Sequence, residues 1–329
     1  MIRRVDIGKG ECLPSPAAAG PPFAKATAGR EGPGERVHKA WQILITEHLQ
    51  RSIRPLLVII GPTASGKTAF SLKVAKWIGR KSLSLGERVR VRVRVSANAP
   101  HPNPLPVGEG ERAEIINADS RQLYKYMDIG TAKITEEEKG GIPHHLLSVL
   151  DPKEKVTVGW YKKAAEKVID DVLARGAIPI LVGGSMLYIS AVTDGYIFTG
   201  RGGKRRALIP YDLLIFGLRW PREELVKRIE ERTRKLLGTG LENSLPLGGR
   251  VRERGSKEFL YPLSLTLSPR ERECPTTWLS EVASLLSRGY TIADPGMESH
   301  GYREIAAWIL NGKKEEELPP LIERINAVT

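Results

Sequence analysis

Six residues without a charge, Pro55-Leu-Leu-Val-Ile-Ile60, run straight into Gly61-Pro-Thr-Ala-Ser-Gly-Lys-Thr68, and a helical pattern follows over 66–78. The spacing is G-x-x-x-x-G-K-[ST], set between a buried strand and a helix. In that context the loop amides and the helix N-terminus form a nest for phosphate oxygens. Lys67 adds a point charge, and the Thr68 hydroxyl suits Mg²⁺. The phosphate-binding set is therefore Gly61, Pro62, Thr63, Ala64, Ser65, Gly66, Lys67 and Thr68. Which phosphate compound it holds is left open, because a nucleoside triphosphate and a prenyl diphosphate present the same oxygens to such a loop.

A strand this apolar needs neighbours on both sides and cover on both faces. The chain supplies them. Ala113-Glu-Ile-Ile-Asn-Ala118, Ala177-Ile-Pro-Ile-Leu-Val182 and Tyr211-Asp-Leu-Leu-Ile-Phe-Gly-Leu218 read as three further strands. Between them, Trp160–Arg175 carries an apolar face of Ala164, Ala165, Val168, Ile169, Val172 and Leu173, with Gly176 as its stop and Trp160 and Tyr161 expected in the core. Further helices are expected at 221–237, 277–288, 301–311 and 315–326. Strands alternating with helices give an α/β fold: a P-loop NTPase-like parallel sheet covered by helices, carrying three low-complexity or inserted segments.

Those three segments also explain the charge. The 329 residues carry a net +13, which at face value suggests a nucleic-acid partner. Residues 1–55 and 80–112 contribute +4 each and 244–275 contribute +2. The first is rich in Pro and Gly and is expected to be disordered through residue 54. The other two echo each other, Ser82-Leu-Ser-Leu-Gly-Glu-Arg against Ser244-Leu-Pro-Leu-Gly-Gly-Arg, as the translation of a dispersed DNA repeat would. Residues 55–329 are then one catalytic domain interrupted at 80–112 and 238–276. The Val/Arg alternation of 88–95 would suit an edge hairpin in an inserted segment. Another +4 lies in Gly200-Arg-Gly-Gly-Lys-Arg-Arg206, either a linker or a cluster for RNA phosphates.

Two cysteines, Cys12 and Cys274, make neither a disulfide framework nor a zinc site, and the expected compartment is the reducing cytoplasm. No apolar run reaches the roughly 18 residues that span a bilayer, and no secretory signal is expected, because no apolar stretch follows the basic residues of 1–15. His144-His145 is expected to be structural, since adjacent histidines point apart and lack further ligands at metal spacing.

Two more strand ends carry candidate chemistry. Asn117-Ala-Asp-Ser-Arg-Gln122 leaves the second strand at the edge where open α/β sheets bind ligands. Asp119 there suits an Mg²⁺ ligand or a general base, with a helix N-cap as the structural alternative. Val182-Gly-Gly-Ser-Met-Leu-Tyr188 leaves the third strand. Its glycines admit a ligand to the backbone beside the Ser185 hydroxyl, and a cap for the next helix is the equal alternative. No Asp or Glu ends the third or fourth strand, which argues against an ordinary ATPase.

Taken in order, these motifs, together with Met127-Asp-Ile-Gly-Thr-Ala-Lys133, Gly141-Ile-Pro-His-His-Leu146 and His300-Gly-Tyr-Arg-Glu-Ile305, resemble the tRNA dimethylallyltransferase family over about two thirds of the chain. The resemblance implies transfer of a dimethylallyl group from dimethylallyl diphosphate to N6 of adenine 37, beside the anticodon of tRNA, with Mg²⁺ as cofactor. It implies that Thr63 to Thr68 cradle the diphosphate, with Arg219 approaching it, and that Thr68 helps hold the metal. Asp119 would be the base, Ser120, Arg121 and Gln122 would contact tRNA, and Ser185 would stand for a family Thr touching the substrate. The partners implied are the tRNA anticodon arm and the prenyl donor, with no membrane and a monomeric chain. The resemblance also implies departures. Only 195–210 stand where the family carries a helical anticodon-gripping insertion, and its basic C-terminal motif is expected to be missing. A P-loop small-molecule kinase using ATP, and an inactive remnant retaining phosphate binding, are the rival readings.

Overall fold

The computed structural model describes residues 2–8, 11–13, 33–84, 112–198, 204–206, 208–237, 277–312 and 317–328. These divide between two compact units. The first comprises residues 1–123, 134–147 and 156–225, and the second comprises 124–133, 148–155 and 226–329.

The first unit is built on the expected strand. β1 (Ile2–Gly8), β2 (Glu11–Leu13), β3 (Pro55–Ile60), β4 (Ala113–Asn117), β5 (His144–His145), β6 (Ile178–Gly183) and β9 (Asp212–Arg219) form a sheet of order β2-β1-β9-β3-β6-β4-β5. Every neighbouring pair is parallel except β1 with β2. β3 lies at the centre, and all but one of its residues are buried. Successive residues of a strand face opposite ways, so Leu57 and Ile59 serve one face while Leu56 and Val58 serve the other. The first face is covered by α1 (Pro33–Arg51) and α2 (Lys67–Ser84), through Trp41, Ile45, Val74 and Ile78. Against the sheet also pack α4 (Val158–Ala174) and α5 (Met186–Thr193). A short helix, α3 (Glu136–Lys139), begins with a capping box between Thr135 and Glu138.

The amino-terminal region corrects the reading of 1–54 as disordered. β1 extends the sheet in parallel alongside β9, with Ile2 opposite Leu213 and Gly8 opposite Arg219. α1 buries Trp41, Ile45 and Leu49, one stripe at i, i+4, i+8. Trp41 meets Phe70 and Trp77 edge-on at 5.8 and 5.3 Å. The Pro/Gly-rich part of the segment, 14–32, lies outside the described residues, and averaging its composition over the whole stretch concealed a strand and a helix. The repeated segments and the 88–95 alternation also lie outside them, except that α2 runs to Ser84.

Trp160 is a second correction. Its side chain is exposed, whereas Tyr161 is fully buried. α4 buries Tyr161, Ala165, Ile169 and Val172, and Trp160 sits about 100° around the helix from that line. Between α5 and β9, the described residues hold one antiparallel pairing, β7 (Tyr196–Phe198) with β8 (Lys204–Arg206). Part of the basic run is therefore strand.

In the second unit, α6 (Arg222–Leu237), which starts within the first, is followed by α7 (Trp278–Ser287), α8 (Tyr302–Leu310) and α9 (Leu318–Val328). The loop Met127–Lys133 is held among them by Glu281 of α7. Its carboxylate accepts the backbone N–H groups of Asp128 (2.7 Å), Ile129 (2.7 Å) and Gly130 (3.0 Å), together with the Tyr302 hydroxyl. Burial pushes the Glu281 carboxyl above its usual range, and these donors pull it back in part. Among the described residues no helix is long and apolar enough to cross a membrane.

Candidate active site at the carboxyl edge of the sheet

Three parallel strands end side by side, and the three sequence motifs leave from their ends. β3 passes into the loop 61–66, and α2 begins at Lys67. Gly66 adopts φ 87°, a left-handed conformation with open space around its missing Cβ, so backbone freedom is what selects glycine there. Gly61 is selected by crowding: a Cβ would lie 2.7 Å from Ser65 Oγ and 3.1 Å from Leu218 Cβ. Lys67 curls over the loop, its ammonium donating to the carbonyls of Gly61 (2.9 Å) and Pro62 (2.6 Å). Thr63 and Thr68 are exposed, while Ser65 is buried with a hydroxyl that has no hydrogen-bond partner among the described residues.

The β4 end is locked by Asn117, a residue the sequence reading passed over. Its amide oxygen accepts the Asp119 N–H (3.1 Å), and its amide nitrogen donates to the carbonyls of Asp119 (3.0 Å) and Leu146 (2.9 Å). The backbone carbonyl of Asn117 accepts the buried Tyr161 hydroxyl at 2.9 Å. Burial raises the Tyr161 phenol far above its usual range, reinforced by Tyr188 and then by Asp119, so the hydroxyl keeps its proton and remains a donor. Asp119 itself is half-buried. It accepts the Arg121 N–H (2.9 Å), a turn closed two residues on, and no helix follows it to be capped.

The β6 end is joined to this turn by backbone. Ala118 N–H donates to Val182 O (2.7 Å) and Ser185 N–H to Ala118 O (3.2 Å). A Cβ on Gly183 would sit 2.1 Å from the Ala118 carbonyl oxygen, so only glycine permits the approach. Ser185 occupies the N-cap position of α5 but makes no side-chain capping bond there. Its hydroxyl accepts the Ser120 N–H (2.9 Å) and lies 3.3 Å from Ser120 Oγ. A Cβ on Gly184 would lie 3.6 Å from Gly61 O and 3.7 Å from Lys67 Nζ, which places the Gly-Gly-Ser turn beside the phosphate loop. Asp119, Ser120, Ser185, Lys67 and the loop thus occupy one edge. Arg121 is exposed beside them and Gln122 half-buried.

Arg219 ends β9, and its guanidinium pairs at 3.6 Å with Asp6 of β1. The residue that reaches the loop from this strand end is Trp220, whose indole N–H donates to Ser65 O at 3.0 Å. Sequence offered no signal for that contact. The histidine pair belongs to the sheet's far edge: His145 Nε2 lies 2.6 Å from Glu114 Oε2, which also accepts from Arg175 (2.8 Å). The remaining two sequence motifs shape the second unit. Lys133 binds Tyr124 O, Asp128 and Ser148, and the His300 ring bonds Ile325 O at 2.9 Å.

The acid, hydroxyls, lysine and amide nest of this edge suit removal of a proton beside a bound phosphate ester. Residues 122–209 match the family described as IPP transferase. The tRNA dimethylallyltransferase of Moorella thermoacetica is 33% identical over 301 residues, covering 82% of each chain. That of Clavibacter sepedonicus is 35% identical over 286 residues, 80% of this chain and 83% of its own. The crystal structure of the tRNA isopentenylpyrophosphate transferase of Bacillus halodurans aligns with a TM-score of 0.54 at 23% identity, over 83% of this chain and 82% of that one. Its Staphylococcus epidermidis counterpart gives the same score at 25%, over 83% and 87%. With a third of the residues identical across four fifths of such relatives, and the motifs assembled at one sheet edge, the chain belongs to the tRNA dimethylallyltransferase family.

Proposed function

We propose that the chain transfers a dimethylallyl group from dimethylallyl diphosphate to the exocyclic N6 of adenine 37 in the anticodon arm of tRNA. The observation that carries this reading is the joining of the Asp119 and Ser185 turns beside Lys67, which sets a carboxylate next to a phosphate nest. The N6 nitrogen attacks C1 of the prenyl group, the C1–O bond to diphosphate breaks, and the N6 proton passes to Asp119. Loop amides and Lys67 take up the charge that grows on the leaving diphosphate. The Ser65 hydroxyl, without a partner among the described residues, is a further donor of the right chemistry. In this reading Ser120, Arg121, Gln122 and Ser185 contact the adenine and its neighbours, and the base must leave its stack to reach them.

Mg²⁺ fits this donor set. Among the described residues no three acids, histidines or cysteines gather as a cage. In a loop of this spacing the Thr68 hydroxyl is the group that would hold Mg²⁺ beside the substrate phosphates. When bound there, the ion supplies neutralisation of the diphosphate charge. Arg219, paired with Asp6, is assigned no role in this scheme.

The test is incubation of the chain with labelled dimethylallyl diphosphate, Mg²⁺ and an unmodified anticodon stem-loop. Label in the RNA, lost in Asp119→Asn, is the expected result. Asparagine keeps the acceptor for the Arg121 N–H, so the turn survives and only the base is removed. A rate unchanged in that variant, or phosphorylation of a small acceptor from ATP in place of prenyl transfer, would overturn the proposal.

A further inference from the structure

Within the second unit, two tyrosines and their cations form a surface that the proposed chemistry does not use. Tyr126 follows the Asp119–Gln122 turn by four residues in the chain. It stands at φ 64°, in the left-handed region that a bulky residue adopts rarely, and its side chain is 43% exposed. Strained backbone of this kind persists where the surrounding structure enforces it, and it concentrates at functional sites. Its ring centroid lies 6.3 Å from that of Tyr290, the planes tilted by 41°. The Arg288 guanidinium stands 4.7 Å from the Tyr126 centroid, and Lys153 Nζ stands 5.5 Å from the Tyr290 centroid. Tyr290 is fixed in turn: its hydroxyl donates to Asp151 Oδ2 at 2.8 Å, and Asp151 Oδ1 accepts the Lys153 N–H at 2.9 Å. Lys153 and Arg288 are exposed, as are their chain neighbours Lys155 and Glu154 and, next to Tyr126, Lys125.

Rings with cations held against them serve a core poorly, because each cation is desolvated for little burial. They serve an unpaired nucleotide well. A base has a π-face to stack on an aromatic ring or a guanidinium, and its phosphate meets the ammonium groups. We propose that Tyr126, Arg288, Tyr290 and Lys153 form a stacking platform for unpaired RNA nucleotides. Given the function proposed above, these are loop nucleotides of the tRNA substrate other than the modified adenine. The platform supplies RNA affinity from residues outside the phosphate-binding edge.

The test is fluorescence anisotropy of a labelled unmodified anticodon stem-loop with the full chain, at several salt concentrations. Tyr126→Leu is expected to weaken binding about tenfold, the effect of losing one stacked base, while Tyr126→Phe retains affinity. Arg288→Gln is expected to weaken binding and lower its salt dependence. In steady-state transfer the same variants raise KM for RNA and leave KM for dimethylallyl diphosphate unchanged. RNA binding without prenyl transfer by the wild-type chain would end the proposed function and leave the platform to be judged on affinity alone. Equal RNA affinity of wild type and Tyr126→Leu would overturn the platform. So would absence of RNA binding by the wild type, or a loss in Tyr126→Phe as large as in Tyr126→Leu.

Discussion

The Trp220 indole donates its N–H to the backbone carbonyl of Ser65 across 3.0 Å, so the residue that follows β9 pins the middle of the phosphate-binding loop. A loop held this way presents its amides without first having to be ordered. Replacing Trp220 by Phe keeps a ring and deletes the donor. The lost hydrogen bond is worth about 0.5–1.5 kcal/mol. We expect Trp220→Phe to weaken Mg²⁺-diphosphate binding by roughly two- to tenfold in calorimetry, with a near-native melting temperature. Unaltered affinity would show that the loop is held by its own bonds alone.

Gly183 is the tightest point of the edge, its absent Cβ standing 2.1 Å from the Ala118 carbonyl oxygen. The neighbour is backbone of β4's exit and cannot swing aside as a side chain would. Gly183→Ala must therefore push the Asp119 turn and the Ser185 turn apart. Overpacking of this kind costs about 1–3 kcal/mol and sometimes more. We expect a lowered melting temperature together with loss of transfer activity, whereas Gly184→Ala, with nothing nearer than 3.6 Å, should keep the melting temperature. Equal stability of the two variants would contradict the packing described here.

What was readable in the chain was local. The spacing Gly61 to Thr68 encodes its own turn, and the apolar strands at 55–60, 113–117, 178–183 and 212–219 follow from their run lengths, so the phosphate loop and the Asp119 and Ser185 turns could be placed beforehand. What was not readable is contact between distant residues. Nothing near Trp220 indicates that it reaches Ser65, and nothing near Glu281 indicates three amides 150 residues away. β1 illustrates the same limit: Val5 and Ile7 alternate with Arg4 and Asp6, but only pairing with β9 makes the segment a strand. Likewise nothing near Arg219 indicates its pairing with Asp6, 213 residues earlier.

Glu281 makes that distant contact testable. It is 1% exposed and satisfies the N–H groups of Asp128, Ile129 and Gly130. Gln in its place turns a donor toward donors, leaving at least one buried amide unpaired at about 1–3 kcal/mol. Amide hydrogen exchange at 128–130 is the direct readout. It should accelerate by roughly ten- to a hundredfold in Glu281→Gln, while amides of β3 keep their protection. Protection unchanged at 128–130 would mean that the loop does not depend on this side chain.

Glu114 gives the fold a pH dependence whose direction can be worked out. Burial alone would raise its carboxyl, but the hydrogen bonds of His145 and Arg175, and their charges, outweigh it and hold the group below its ordinary value of 4.5. Between that lowered value and 4.5 the unfolded chain binds more protons than the folded one, so stability rises with pH across this window. The contribution is fully present above 4.5 and is lost as the pH falls through the folded value. Glu114→Gln abolishes the titration while keeping the shape. The gap in melting temperature between wild type and Glu114→Gln should therefore close progressively as the pH falls below 4.5. A gap that does not narrow below 4.5 would mean that His145 and Arg175 do not hold the Glu114 carboxylate in its charged form.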